Sequence, residues 1–346
     1  MLIPSKLNQR QKLETDLKLL SKLSLLSAIA LSQALTAHVA IAQTDDFPNK
    51  SINYIIPFPP GGPTDVAGRV MAEALGKELK QTVVVENKSG ASGSIGMNQL
   101  IRSKGDGYTI ASLAAPSLTA PFILAKAPYD LKTDIKPIGL AYITPLVIVV
   151  NPKTHPEIKD MKSLIEAAKQ NKEGLNYTTS GVGSTAHLAV EMIRKELNID
   201  MTHIPFRGSA PGVTALLGGE VVFMYSDLVA VLTQIKAGNL RPIAVNTDQR
   251  IDELPDTPTL KEENIQAAKA SSWGGLVAPK DTPDSTIQVL SNALKVVLEN
   301  EDVKSRLKAV GAYPNYSDPK TMQETIAHDS AIWSSVIEDN NLRQTN

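Results

Sequence analysis

The chain has 346 residues, 42% of them hydrophobic, and a formal net charge of -1. That length suffices for two domains with separate cores, and the balanced charge offers no basic face for nucleic acid or an anionic membrane surface. Cysteine is absent, which excludes disulfides, thiolate catalysis, cysteine-based zinc sites and a lipid anchor on an N-terminal cysteine.

In chain order, the first 42 residues stand apart. Lys6, Arg10, Lys12, Lys18 and Lys22 lead into the apolar run LSLLSAIALSQAL, and Ala40, Ile41 and Ala42 close the segment. A basic region, a short apolar region and an Ala-x-Ala ending form the secretory signal pattern, so cleavage is expected near Ala42. The run is too short and serine-rich to span a membrane, which takes about 20 apolar residues. A soluble protein of the bacterial periplasm, beginning at Gln43, is the expectation.

The mature chain alternates between strand and helix patterns. INYIIPF predicts a strand, and Asp65 to Lys80 a helix with Val66, Val70, Met71, Ala74, Leu75 and Leu79 on one face. QTVVVEN predicts a strand, KSGASGSIG a glycine loop, MNQLIRS a helix and DGYTIASL a further strand, before LAYITPLVIVV, a long apolar strand. After Asn151 the pattern restarts: SLIEAAKQ as helix, GLNYTTS as strand, GVGST as loop and AHLAVEMIRKEL as helix. MTHIPF, VTALLGG, EVVFMYS and LRPIAVN continue the alternation, and SSWGGLVAP reads as a strand returning to the first domain. Closing helices are expected from Pro283, with Ile287, Leu290, Leu294 and Val297 in one stripe. Such alternation predicts α/β architecture with parallel-rich sheets. The expected division is a signal over 1–42, a first lobe over 43–150 plus 272–346, and a second lobe over 151–271. A ligand cleft is expected between the lobes, at the C-terminal ends of the strands.

Three loops share a strand end, glycines with Ser or Thr, and then a helix: Gly61 to Asp65, Gly90 to Gly96 and Ser180 to Thr185. Glycine allows close backbone approach, and the first N–H groups of a helix are unpaired at the positive end of its dipole, so an anion can be held there. Asp65 has an alternative role as a first-turn carboxylate complementing that dipole. No lysine follows the glycines as a phosphate P-loop requires, and GASGSIG is only a weak dinucleotide echo. His155, His187, His203 and His328 form no metal motif, and GVGST is not a nucleophile elbow. No cofactor, metal or catalytic residue is expected. His187 reads either as a structural hydrogen-bonder or as a ligand contact, and Arg207 as a surface or a cleft residue. Trp273 reads as core and Phe58 as a candidate pocket residue.

PFPPGGPTDVAGRVMAEALGKELKQTVVVENKSGASGSIG, together with DGYTI, SGVGSTAHLA, HIPFRGSAPGVTALLGGEV, IKAGNLRPIAV and LPDTPTLKE, resembles the Bug-type periplasmic solute receptors of tripartite tricarboxylate transporters over essentially the whole mature chain. The resemblance implies a two-lobed Venus-flytrap fold of the type II periplasmic-binding-protein kind. Such a receptor closes on a small organic carboxylate and serves membrane permease subunits; a monomer is expected. It implies that backbone and hydroxyl donors of Phe58, Gly61, Gly62, Pro63, Thr64 and Asp65, and of Ser180, Gly181, Val182, Gly183, Ser184 and Thr185, hold the ligand carboxylate. His187 adjoins this set. The loop LAAPSLTA, with Ala115, Pro116 and Ser117, and the positions Ser209, Ala210, Ser226 and Asp227 would sort the other end of the ligand. Arg207 stands where many relatives carry Lys. An acid common in relatives aligns with Ser226, here followed by Asp227, which leaves an amino group on the ligand undecided. Gly274 replaces an aromatic often found there, which would widen the pocket. Two rival functions use the same cleft: a carboxylate-processing enzyme, and a receptor feeding a sensor kinase.

Overall fold

A computed structural model describes residues 47–126, 128–171, 174–266 and 272–344; the expected signal segment lies outside them. The first strands and helices are β1 (Ile52–Ile56), α1 (Pro63–Leu79), β2 (Val83–Asn87), α2 (Ser94–Arg102), β3 (Thr109–Ala114), α3 (Ala115–Ile123) and β4 (Ile135–Thr144). Then come β5 (Leu146–Val150), α4 (Met161–Gln170), β6 (Leu175–Thr178), α5 (Thr185–Leu197), β7 (Met201–His203), α6 (Ser209–Gly218), β8 (Phe223–Asp227), α7 (Leu228–Lys236) and β9 (Arg241–Val245). The chain closes with β10 (Ser272–Pro279), α8 (Asp284–Glu299), α9 (Glu301–Ala309), β11 (Tyr313–Pro314) and α10 (Pro319–Asp339).

Two sheets result, ordered β11-β4-β10-β3-β1-β2 and β7-β6-β8-β5-β9. Each has a parallel part (β2-β1-β3 and β7-β6-β8) continued by antiparallel strands. Helices cover both faces of each sheet, because strands such as β5, buried at all five positions, are apolar on both sides. In the first lobe α1 and α8 pack over one face around Tyr54, Met71, Leu290 and Leu294, and α2, α3 and α10 over the other around Leu100, Leu118, Met322 and Trp333.

Two readings of the sequence change here. LAYITPLVIVV is not one strand: Pro145, which has no N–H to give a ladder, separates β4 from β5, and the two lie in different sheets. Residues 146–150, placed above with the first lobe, therefore pair in the second sheet. LAAPSLTA is not a loop: proline is tolerated in a first turn, and α3 begins at Ala115 with Pro116 next to it.

The chain crosses between the sheets at Pro145 and again over 246–271. The crossings are tied together, since Leu146 N–H donates to Asn246 Oδ1 at 2.7 Å and Asn246 N–H to Leu146 O at 3.0 Å. Leu188 of α5 is also buried in the same apolar cluster as Leu118 and Ile123 of α3. Thr119 Oγ1 on α3 also donates to Gly183 O in the second lobe at 2.7 Å. The lobes thus meet both at the crossing strands and at an apolar contact between α3 and α5.

Candidate functional site

A cavity of about 70 Å³ lies between the sheets.

Five helices begin at its walls. Gly62, Pro63 and Thr64 open α1; Ala114, Ala115 and Pro116 open α3; Ser184 and Thr185 open α5; Gly208, Ser209, Ala210 and Pro211 open α6; and Asp227 precedes α7. Only α5 has a side-chain cap, where Ser184 Oγ accepts from His187 N–H at 3.2 Å. The caps of α1, α3 and α6 offer no such bond, which leaves their first-turn N–H groups for a ligand. The positive ends of helices from both lobes therefore converge on one volume. Ser209 Oγ, buried in the wall, has no hydrogen-bond partner among the described residues.

Phe58, Pro59, Pro60 and Trp273 add apolar wall, and Ser180 lies on the second-lobe side. The indole N–H of Trp273 donates to Asp329 at 2.7 Å, so Trp273 serves both core and cavity. Tyr142, Thr144 and Ser272 line the cavity beside the crossing strands. Burial pushes the Tyr142 hydroxyl up, and the nearby Thr64 hydroxyl opposes this. Gly274 does not widen the site: a Cβ there would collide with the Tyr142 ring, which occupies the space.

Two charged residues line the cavity. Arg207 is exposed and makes no hydrogen bond or ion pair among the described residues. Asp227 is buried, and that burial pushes its carboxyl above the ordinary range, opposed by the Ser272 hydroxyl and by its own N–H.

Several expected contacts do not line the cavity. The Asp65 carboxylate turns back to accept from Gly61 N–H at 2.9 Å, Asn87 Nδ2 at 2.8 Å and Arg69 Nε at 3.0 Å. Burial works to raise its pKa, but those bonds prevail and hold it below the usual carboxylate range. Asp65 thus shapes the Gly61 turn, which has φ +76°. Val182 and Gly183 lie against α3, and Gly181 lies close to Phe206 O in the second lobe. Ser117 and Ser226 are fully buried and do not line the cavity, and their hydroxyls have no hydrogen-bond partner among the described residues. The second glycine loop supports the first from behind, with Gly93 close against the Phe58 ring.

His187 likewise lies behind the wall. Its Nδ1 accepts from Gly183 N–H at 3.2 Å, and its ring stacks on His203 at 4.2 Å between centroids. Thr179 ties this layer to the loop: its hydroxyl accepts from Gly181 N–H at 3.1 Å and from Ser184 Oγ at 3.3 Å, and pairs with His203 Nε2 at 3.0 Å. Burial lowers the pKa of His187, opposed by Glu191, and pushes His203 down to about 3 with help from His187, so both rings are neutral near pH 7.

Pro59, Pro60, Gly208 and Pro211 adjoin residues expected in the site, so their loops were visible in the sequence. Tyr142, Thr144 and Ser272 lie in plain strand patterns and reach the cavity only because those strands flank the lobe crossings. Among the described residues, no group of three or more His, Cys, Asp or Glu could hold a metal ion.

A two-lobed α/β chain with helix N-termini facing a cleft beside the crossing strands is a solute-binding receptor. Residues 67–342 match the family model described as "Tripartite tricarboxylate transporter family receptor". BugT of Bordetella pertussis is 34% identical over 307 residues, covering 88% of this chain and 94% of BugT. The solved periplasmic binding protein BugD superposes with a TM-score of 0.79 at 31% identity, over 86% of this chain and 100% of that one. A protein of R. palustris solved with adipate gives 0.80 at 29% identity, over 84% and 97%. The chain belongs to the tripartite tricarboxylate transporter receptor family.

Proposed function

We propose that this receptor captures a small organic carboxylate between its lobes in the periplasm, and that the closed, loaded form delivers it to the membrane permease of a tripartite tricarboxylate transporter. The observation that carries the reading is the convergence of helix N-termini from both lobes on one cavity. An anion there accepts N–H bonds from each side, at about 1.5–3 kcal/mol net for each bond to a charged group. A ligand bonded to both lobes stabilises closure by its differential affinity for the closed form. The adipate in the R. palustris protein supports a carboxylate as the ligand class.

On this reading the donors are the backbone N–H of Thr64 and the groups of Ser180, Thr185 and Ser209. Asp65, Gly183 and His187 position them. The lobes divide at Pro145 and within 246–271. Export removes the segment ending near Ala42, whose basic region, apolar run and Ala-x-Ala ending form a secretory signal pattern.

The test is a thermal-shift and calorimetric screen of the mature protein against mono-, di- and tricarboxylates, amino acids and nucleotides. At 100 times its dissociation constant a ligand adds about 2.7 kcal/mol of stability. A hit confined to organic acids, recovered unchanged after incubation, supports a receptor; conversion of the bound acid would mean an enzyme. Loss of uptake on deletion supports delivery to a permease, whereas retained uptake with a lost transcriptional response would mean a sensor. A nucleotide hit without any acid would overturn the carboxylate assignment.

A further inference from the structure

The cavity is unequal in charge along its length. The openings of α1, α5 and α6 offer N–H groups and hydroxyls, and Phe58, Pro59, Pro60, Pro116, Pro211 and Trp273 give the walls an apolar character. Beside the crossing strands the cavity presents a buried carboxyl, Asp227. No ion pair reaches that carboxyl among the described residues. The groups around it are Tyr142 on β4, Ser272 on β10 and Tyr225 on its own strand. None of these carries a positive charge. Arg207, the cationic residue of the cavity wall, is exposed, and an exposed pair gains little against the loss of water by a second buried charge.

We infer, on the basis of the carboxylate reading above, that the receptor is selective for acids with a single carboxylate on an apolar body, and that Asp227 excludes a second carboxylate. One carboxylate is satisfied by the helix openings. A second would be pressed against Asp227 in a space too confined to keep its water, where two carboxyls without a counter-ion must either both stay charged and repel or one must take up a proton, a cost in either case. A ligand whose far end is apolar, or carries a hydroxyl that can donate to Asp227, meets no such penalty. Charge thus sorts ligands of equal length.

The test uses the full mature chain and matched pairs of probes, butyrate with succinate and hexanoate with adipate, plus citrate, by isothermal titration calorimetry at pH 7.5. The expected result is that each monoacid binds at least 30-fold more tightly than its diacid partner and that citrate does not bind. Asp227→Asn, which keeps the shape and removes the charge, is expected to narrow each ratio to within about threefold by a gain in diacid affinity. A gain of binding cannot come from misfolding, and Asp227→Ser provides a second variant should the first not fold. Diacids binding wild-type protein as tightly as the monoacids would overturn the inference while leaving the carboxylate receptor intact. So would an unchanged ratio in both variants. Silence from all five acids, with a hit in another chemical class, would remove the carboxylate reading and this inference together.

Discussion

Of the buried hydroxyls that no described group satisfies, Ser209 is the one that lines the cavity. Such a hydroxyl costs about 1–3 kcal/mol when left unpaired and regains that when a ligand bonds to it. Ser209→Ala is therefore expected to weaken ligand binding about tenfold while the unliganded melting temperature holds or rises; an unchanged dissociation constant would remove Ser209 from the site. Ser184 behaves differently, because its hydroxyl already caps α5 and bonds to Thr179. Ser184→Ala should cost about 1 kcal/mol of stability from the lost cap, so its effect on affinity is mixed with damage to the helix. The stacked histidines make a further residue-scale prediction. His203 titrates at about 3 when folded, against 6.5 when unfolded, so below pH 6.5 the unfolded chain binds the extra proton. Stability from this residue is present above pH 6.5 and falls as pH drops, by at most about 1.4 kcal/mol per pH unit. Urea titrations from pH 7 to 4 should show that slope, and His203→Gln should flatten it.

At the scale of elements, the site depends on where helices start and on how closely loops can approach. Gly183 has φ +78° and lies against α3, where an added Cβ would strike the Ile123 side chain and come within 2.8 Å of Thr119 Oγ1. A methyl group there strains the backbone and separates the lobes at once. Gly183→Ala is expected to lower affinity more than tenfold and to reduce the melting temperature, whereas Thr119→Val, which removes only the bond to Gly183 O, should have a smaller effect in the same direction. Calorimetry and melting curves of the two variants give that ordering, and equal effects would contradict it. Asp65 belongs to this scale as well. Its carboxylate joins the Gly61 turn, Arg69 of α1 and Asn87 of β2, so it sets the direction of the α1 opening without facing the ligand.

For the whole molecule, closure joins the tied crossings at Leu146 and Asn246 to the apolar contact of Leu188 with α3. That contact buries apolar surface when the lobes meet, a favourable contribution that separation of the lobes removes. Leu188→Asp should shift the population toward separated lobes. Its radius of gyration by small-angle scattering should exceed that of wild type without ligand and approach it when ligand is saturating. Equal radii in both conditions would mean that the contact does not control closure.

The order of strands, helices and glycine turns was legible in the sequence because periodicity, glycine and proline act locally, and so were the openings of α1 and α5 and the acid at 226–227. Local pattern did not show that Pro145 passes the chain from one sheet to the other, nor that LAAPSLTA starts a helix on the cavity. It could not choose between Ser226 and Asp227, since adjacent strand residues point to opposite faces and the strand's place between neighbours decides which face meets the cleft. Nor could it divide the polar residues of the glycine loops into those that face the cavity and those, such as Asp65 and His187, that turn back to brace it. Those distinctions depend also on partners far along the sequence, such as Asn87 for Asp65 and His203 for His187, which only the tertiary packing brings together.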